Sequence, residues 1–245
     1  MKTIFYLLSL MCTLPLVAQK KVEKMFPYTN GKEIYLNLKY ASDIHIKTWD
    51  KNEIGIAASV NINNNANNDN FVLESSTTKD SQIEIKGNIK DLKLISTVPT
   101  NVQSDSRGNY YGDNRFWDDE NKVYISSGPQ VFIIIDYDIY IPEQAALLVK
   151  TISGNVLVDY LKGKYRLETI SGKIDLKTAA TTKCDFSLHT ITGDVYTNLA
   201  LESPQAKNGE LSRVGGQYDR DLKLNNGGEK LVLKTISGNI YLRKK

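Results

Sequence analysis

Apolar and polar residues alternate with a period of two along most of this chain. Ile34-Tyr35-Leu36-Asn37-Leu38, Ile44-His45-Ile46, Ile54-Gly55-Ile56 and Ile83-Glu84-Ile85 all show it, and Val131, Ile133, Ile135, Tyr137, Ile139 and Ile141 continue it. That period belongs to a β-strand with one buried face. Beyond the first eighteen residues no run places apolar residues at i, i+3, i+4 and i+7, so the alternation predicts an all-β chain.

The second half repeats itself. Thr151-Ile152-Ser153-Gly154 returns as Thr169-Ile170-Ser171-Gly172, Thr190-Ile191-Thr192-Gly193 and Thr235-Ile236-Ser237-Gly238. The first three threonines are 18 and 21 residues apart, and the last gap of 45 holds a decayed copy at Arg213-Val214-Gly215-Gly216. A period near 20 residues predicts a β-solenoid of about five C-terminal coils of 18–23 residues, following a less regular β-rich half. Two residues before each threonine stands Val149, Leu167, Leu188, Leu211 or Leu233, an inward apolar column. After the glycine the inward residues become Val156/Val158, Ile174/Leu176, Val195 and Ile240/Leu242, so the parity has changed. One residue is therefore absorbed in a bulge or corner, where glycine is expected for its access to positive φ. Stacked copies would set Leu on Leu, Thr on Thr and Ser on Ser. The residue after the glycine (Asn155, Lys173, Asp194, Gln217 or Asn239) is polar and expected outside. The Arg213 copy carries charge at inward positions and is expected to be distorted or looped out. The final copy ends at Arg243-Lys244-Lys245, which reads as a charged cap on an open solenoid end.

These patterns divide the chain into four. Residues 1–18 read as a secretory signal peptide: Lys2, an apolar run from Ile4 to Leu14, and Pro15-Leu16-Val17-Ala18 before a polar start. Residues 19–98 read as degenerate coils or a capping sheet, 99–128 as a polar insertion loop, and 129–245 as the repeat solenoid. No segment reaches the length of apolar residues that a membrane-spanning helix requires, so the product is expected in the periplasm, on the outer surface or outside the cell. Met11 before Cys12 departs from a lipoprotein signal, which favours ordinary cleavage and leaves Cys184 as the one mature cysteine. A net charge of +3 with interleaved signs gives no reason to expect nucleic acid as a partner.

Chemistry is sparse. His45 and His189, the only two histidines, fall at outward strand positions, and no nucleophile elbow, zinc motif or phosphate loop occurs. Asp159, Asp175 and Asp194 are the candidates for a catalytic carboxylate row, yet they stand five, three and one residues after their glycines. Neither a cofactor nor a metal is expected, and a polysaccharide-active enzyme is the weaker reading. The 99–128 loop carries Tyr110, Tyr111, Phe116 and Trp117 beside Arg107, Arg115 and the acidic run Asp118-Asp119-Glu120. Aromatic rings displayed on a polar loop can stack on sugars or anchor a protein, so these four are the candidate binding residues.

The repeated Thr-Ile-Ser-Gly copies, the lead-in Tyr137-Asp138-Ile139-Tyr140-Ile141-Pro142 and Ile44-His45-Ile46-Lys47-Thr48-Trp49-Asp50 together resemble the bacterial putative-adhesin β-strand repeat proteins. That family has no assigned function and is similar to the head domains of autotransporter adhesins. The resemblance is strongest over 131–245. It implies an exported, non-enzymatic interaction module, with an envelope or surface protein or glycan as partner. A carbohydrate-binding protein that uses the 99–128 loop is the alternative.

Overall fold

The computed structural model describes residues 19–95, 109–111, 115–118, 123–126, 131–159, 162–202 and 218–245. The expected signal peptide and the Arg213 copy lie outside the described residues. The N-terminal half contributes β1 (Lys20–Pro27), β2 (Ile34–Asn37), β3 (Asp43–Trp49), β4 (Glu53–Ile62), β5 (Phe71–Thr77) and β6 (Ile83–Ile89). Next come β7 (Asn109–Tyr111), β8 (Arg115–Asp118), β9 (Val123–Ser126) and the long β10 (Val131–Pro142). The repeats supply β11 (Leu147–Lys150), β12 (Asn155–Asp159), β13 (Tyr165–Glu168), β14 (Ile174–Thr178), β15 (Cys184–Thr190) and β16 (Val195–Thr197). The chain closes with β17 (Tyr218–Leu224), β18 (Glu229–Lys234) and β19 (Ile240–Lys244). The protein is all-β, with one 3-10 turn at Asn68–Asn70 among the described residues.

The strands form two mixed sheets with a small β8–β9 hairpin beside them. One sheet runs β1-β4-β10-β3-β12-β14-β19-β16, with β7 against the start of β10, and the other runs β17-β15-β18-β13-β11-β2-β6-β5. Each repeat gives one strand to each sheet, and its neighbours pair with it in parallel and in phase. Val156 and Val158 lie beside Ile174 and Leu176, and these beside Ile240 and Leu242. In the other sheet Val149, Leu167, Leu233 and Leu188 form one row. All of these side chains are at most 1% exposed, so the alternation read from the sequence does point one residue in two into the core.

The N-terminal half continues both sheets. Ile34 and Leu36 of β2 lie beside Leu147 and Val149, and Ile44 and Ile46 of β3 beside Val156 and Val158. The strands β2 and β3 thus behave as one more repeat. Antiparallel pairs then close that end, β1 on β4 and β5 on β6, with Lys20, Lys21 and Lys24 along the outer strand β1. Charge on an edge strand discourages pairing with another chain.

The order of the repeats corrects the sequence reading. The last copy is not an end cap: β18 lies between β13 and β15, and β19 between β14 and β16. The C-terminal repeat is therefore wedged between the second and third copies. Strand β17 pairs antiparallel with the far side of β15, from Cys184↔Leu224 to Thr190↔Tyr218. The segment β17–β18 thereby grips β15 from both sides. Polarity accounts for this choice. Leu231 and Leu233 sit at 1% and 0% exposure between two neighbours, while Asp219, Arg220, Asp221 and Lys223 occupy the sheet edge.

The corners also correct two expectations. None of Gly154, Gly172, Gly193 or Gly238 has a positive φ. A Cβ on Gly172 would fall 2.0 Å from the carbonyl oxygen of Gly154, one on Gly238 1.9 Å from that of Gly172, and one on Gly193 1.9 Å from that of Gly238. Glycine is required here because adjacent backbones touch. Nor do the serines form an inner ladder: Ser171, Thr192 and Ser237 are exposed, while Thr151, Thr169, Thr190 and Thr235 are buried.

Each threonine hydroxyl accepts the N–H of its own corner glycine, at 3.3, 3.1, 3.1 and 3.0 Å for Thr151, Thr169, Thr190 and Thr235. Thr169 donates to the Gly154 carbonyl at 3.2 Å, Thr235 to Gly172 at 3.2 Å and Thr190 to Gly238 at 3.1 Å. The resulting chain of bonds crosses four repeats in spatial order. Thr235→Val keeps the shape and removes the hydroxyl, leaving buried backbone groups unpartnered. It is expected to lower unfolding free energy by about 1–3 kcal/mol, measured as a shift in urea midpoint.

Candidate interaction surface

Because the corner threonine points inward, the isoleucine after it points out. Ile170, Ile236 and Ile191 are 44%, 38% and 42% exposed, and Ile152 is half-buried. Backbone bonds hold them in one row: Ile170 N–H donates to Ile152 O at 3.0 Å, Ile236 to Ile170 at 3.1 Å and Ile191 to Ile236 at 3.1 Å. At about 4.8 Å per step the row is about 14 Å long. A large apolar side chain repeated at a solvent-facing position is unusual. This row is not among the candidate residues read from the sequence; its signal is the second letter of Thr-Ile-Ser-Gly, and only the stacking lines the four residues up.

The outer face of the first sheet carries a second apolar feature on the same repeats. Tyr196 of β16 and Tyr241 of β19 stack at 5.1 Å between centroids and 13° between planes, with Tyr196 48% exposed. The Asp194 carboxylate accepts from the Tyr196 hydroxyl at 3.3 Å, and its charge raises that phenol's pKa. Arg243 covers Tyr241 at 5.1 Å from its centroid.

The three aspartates do not converge. Asp159 bonds Lys177 at 2.9 Å, which holds its carboxyl below the usual range, and Asp175 lies 3.0 Å from Arg243 Nε. In the strand registers Asp159 is opposite Lys177 and Asp175 opposite Leu157 and Tyr241, so they belong to different rows; Asp194 precedes β16. His45 is exposed on β3, whereas His189 is half-buried with Nδ1 3.8 Å from Asp219. Cys184 is buried, and its thiol is pushed up to about 12 by burial first and by Asp185 second. Among the described residues no three His, Cys, Asp or Glu side chains stand close enough to hold a metal ion.

The aromatic segment was expected to be a loop without structure of its own. Parts of it are strands instead: β7 pairs antiparallel with β10, Tyr110 opposite Phe132 and Tyr111 opposite Val131. Phe116 and Trp117 belong to the β8–β9 hairpin, opposite Ile125 and Tyr124. The backbone therefore places the two pairs in different sheets. The side chains of Tyr110, Tyr111, Phe116 and Trp117 lie outside the described residues.

No family model and no curated protein matches this chain. The crystal structure of a putative cell adhesion protein from Clostridium sporogenes is similar to it with a TM-score of 0.49 and 11% identity, covering 93% of this chain and 100% of that one. So distant a likeness decides nothing about what this chain binds. No helix among the described residues is long and apolar enough to cross a membrane.

Proposed function

We propose that this chain is an exported, non-enzymatic β-solenoid that works as an interaction module of the bacterial cell envelope, in the manner of an adhesin. The solenoid reading is supported by the in-phase parallel pairing of four repeats and by the threonine–glycine bonds that run from each to the next. Export rests on the apolar N-terminal segment of the sequence. The interaction role rests on one observation above all: the row Ile152, Ile170, Ile236 and Ile191, held outward on a rigid corner. An aliphatic row with Asn155, Lys173, Asp194 and Asn239 three places further on in the same corners suits the apolar centre and polar rim of a protein–protein contact better than it suits a sugar or a nucleic acid. The partner is accordingly a protein displayed on the envelope.

Binding of labelled mature protein to intact bacterial cells tests this. Substituting Ile170, Ile236 and Ile191 together with lysine is expected to reduce cell-bound protein by at least about tenfold, the scale of losing one hot spot. The exposure of those side chains should leave the thermal midpoint within a few degrees of the parent. Protease treatment of the cells is expected to abolish binding as well. Equal binding by the triple variant, or binding indifferent to protease, would overturn the reading.

A further inference from the structure

At the opposite end of the first sheet, three strands separated in sequence place an indole between two cavities. Trp49 ends β3, and its ring reaches across the sheet to Gly55 on β4. A Cβ on Gly55 would lie 2.5 Å from the indole Cη2, so any other residue there would push the ring away. Trp49 Nε1 donates to the Glu53 carbonyl at 2.8 Å. On β10, Tyr140 stacks on it at 5.3 Å and 25°. A tertiary contact, a hydrogen bond and a stack thus hold the ring in one orientation.

One cavity beside the ring, of about 230 Å³, is lined by Met25, Ile56, Ala57 and Tyr140 together with Glu23 and Lys24. The other, of about 420 Å³, brings Asn30, Asp50, Lys51, Asn52, Glu143 and Gln144 to the same indole. Glu143 is held by Lys162 at 2.7 Å. The Lys51 ammonium stands 4.9 Å from the Trp49 centroid as an exposed, flexible cover that a ligand would displace.

We propose that this cleft is a binding site for a neutral oligosaccharide. A pyranose ring has an apolar C–H face and a rim of vicinal hydroxyls. The fixed indole matches the first, and planar amide and carboxylate groups match the second, each able to bond two adjacent hydroxyls. An apolar wall with a few convergent polar groups is the ordinary composition of a small-molecule site. Asp50 and Glu143 offset Lys51 and Lys162, so no strong positive field selects phosphate or sulfate. The site lies apart from the isoleucine row and does not depend on that surface's role.

Trp49 and Trp117 are the only two tryptophans, so Trp117→Phe makes Trp49 the sole indole reporter in the mature chain. Its fluorescence is then titrated with cellobiose, maltose, lactose, mannobiose and chitobiose. A saturable change is expected for at least one of them. Asp50→Ala with Asn52→Ala is expected to weaken that binding by at least about tenfold, the scale of one or two hydrogen bonds, while the melting temperature falls by no more than a few degrees, because both side chains are exposed and Asn52 makes one long bond, 3.4 Å to the Tyr28 carbonyl. The isoleucine triple variant should bind the sugar normally. No response to any of the five sugars would overturn the proposal, as would a response that survives the Asp50/Asn52 double variant.

Discussion

A chain that stops at Gly228 loses far more than its last repeat. In a linear solenoid, removing the final coil is the mildest truncation, because it has one neighbour. Here β18 and β19 each have two, and residues 229–245 are what join the third repeat to the second. Deleting them exposes Leu167 and Leu188 along one sheet and Ile174 and Val195 along the other. It also removes Leu231, Leu233, Ile240 and Leu242, all at most 1% exposed, whose burial contributes about 6–12 kcal/mol together. That is comparable with the entire stability of an ordinary domain. The expected result is a fall in melting temperature of at least about 15 °C. Hydrogen exchange should localise the damage. Amides of β15 and β16 are expected to lose at least about a hundredfold in protection, while those of β2, β3, β11 and β12 keep theirs. Retained protection in β15 would mean that the third repeat can dock directly on the second, and that the inserted repeat is dispensable.

Gly238→Ala should cost almost as much for a single methyl group. The new Cβ would meet the Gly172 carbonyl at 1.9 Å, and that oxygen already accepts the Thr235 hydroxyl at 3.2 Å. Backbone stands on both sides, and Ile236 and Ser237 both donate to Ile170 O, so neither repeat can retreat without breaking bonds. A loss of at least about 4 kcal/mol is expected, at the far end of what point substitutions do. Gly31→Ala is the control. Gly31 has φ +83° and nothing within 4 Å of a built Cβ, so only conformational strain opposes alanine there, about 1–2 kcal/mol. Urea denaturation of the two variants separates steric from conformational need for glycine. Similar losses at both positions would show that the close approach of repeats is not what Gly238 serves.

The corner residues illustrate how much the amino-acid pattern carries and where it stops. Alternation assigned Val149, Leu167, Leu188 and Leu233 to the core, and the change of parity located the corner at the glycine, because both depend on which way successive side chains point along one strand. The cause of the glycine was not legible. A positive φ is a property of one residue and can be guessed from its type, whereas the Gly172–Gly238 contact involves backbones 66 positions apart. The inner position of threonine goes with the same contact, since its hydroxyl bonds both its own glycine N–H and the carbonyl of the neighbouring repeat's glycine.

By itself, then, the sequence determined an all-β chain of repeated strands and the apolar residues that face the core. Those are local facts, set by a two-residue period and a recurring four-residue phrase. The tertiary structure alone decided which repeat lies beside which, because copies with the same apolar residues at the same places can pair in several orders without a local difference. It placed the final repeat between the second and third, where β18 buries its leucines on both sides and the charged β17 takes the edge. It alone also brought Trp49, Gly55 and Tyr140 together. They come from three strands whose neighbourhood is set by β10 entering between β3 and β4, and no spacing along the chain records that insertion.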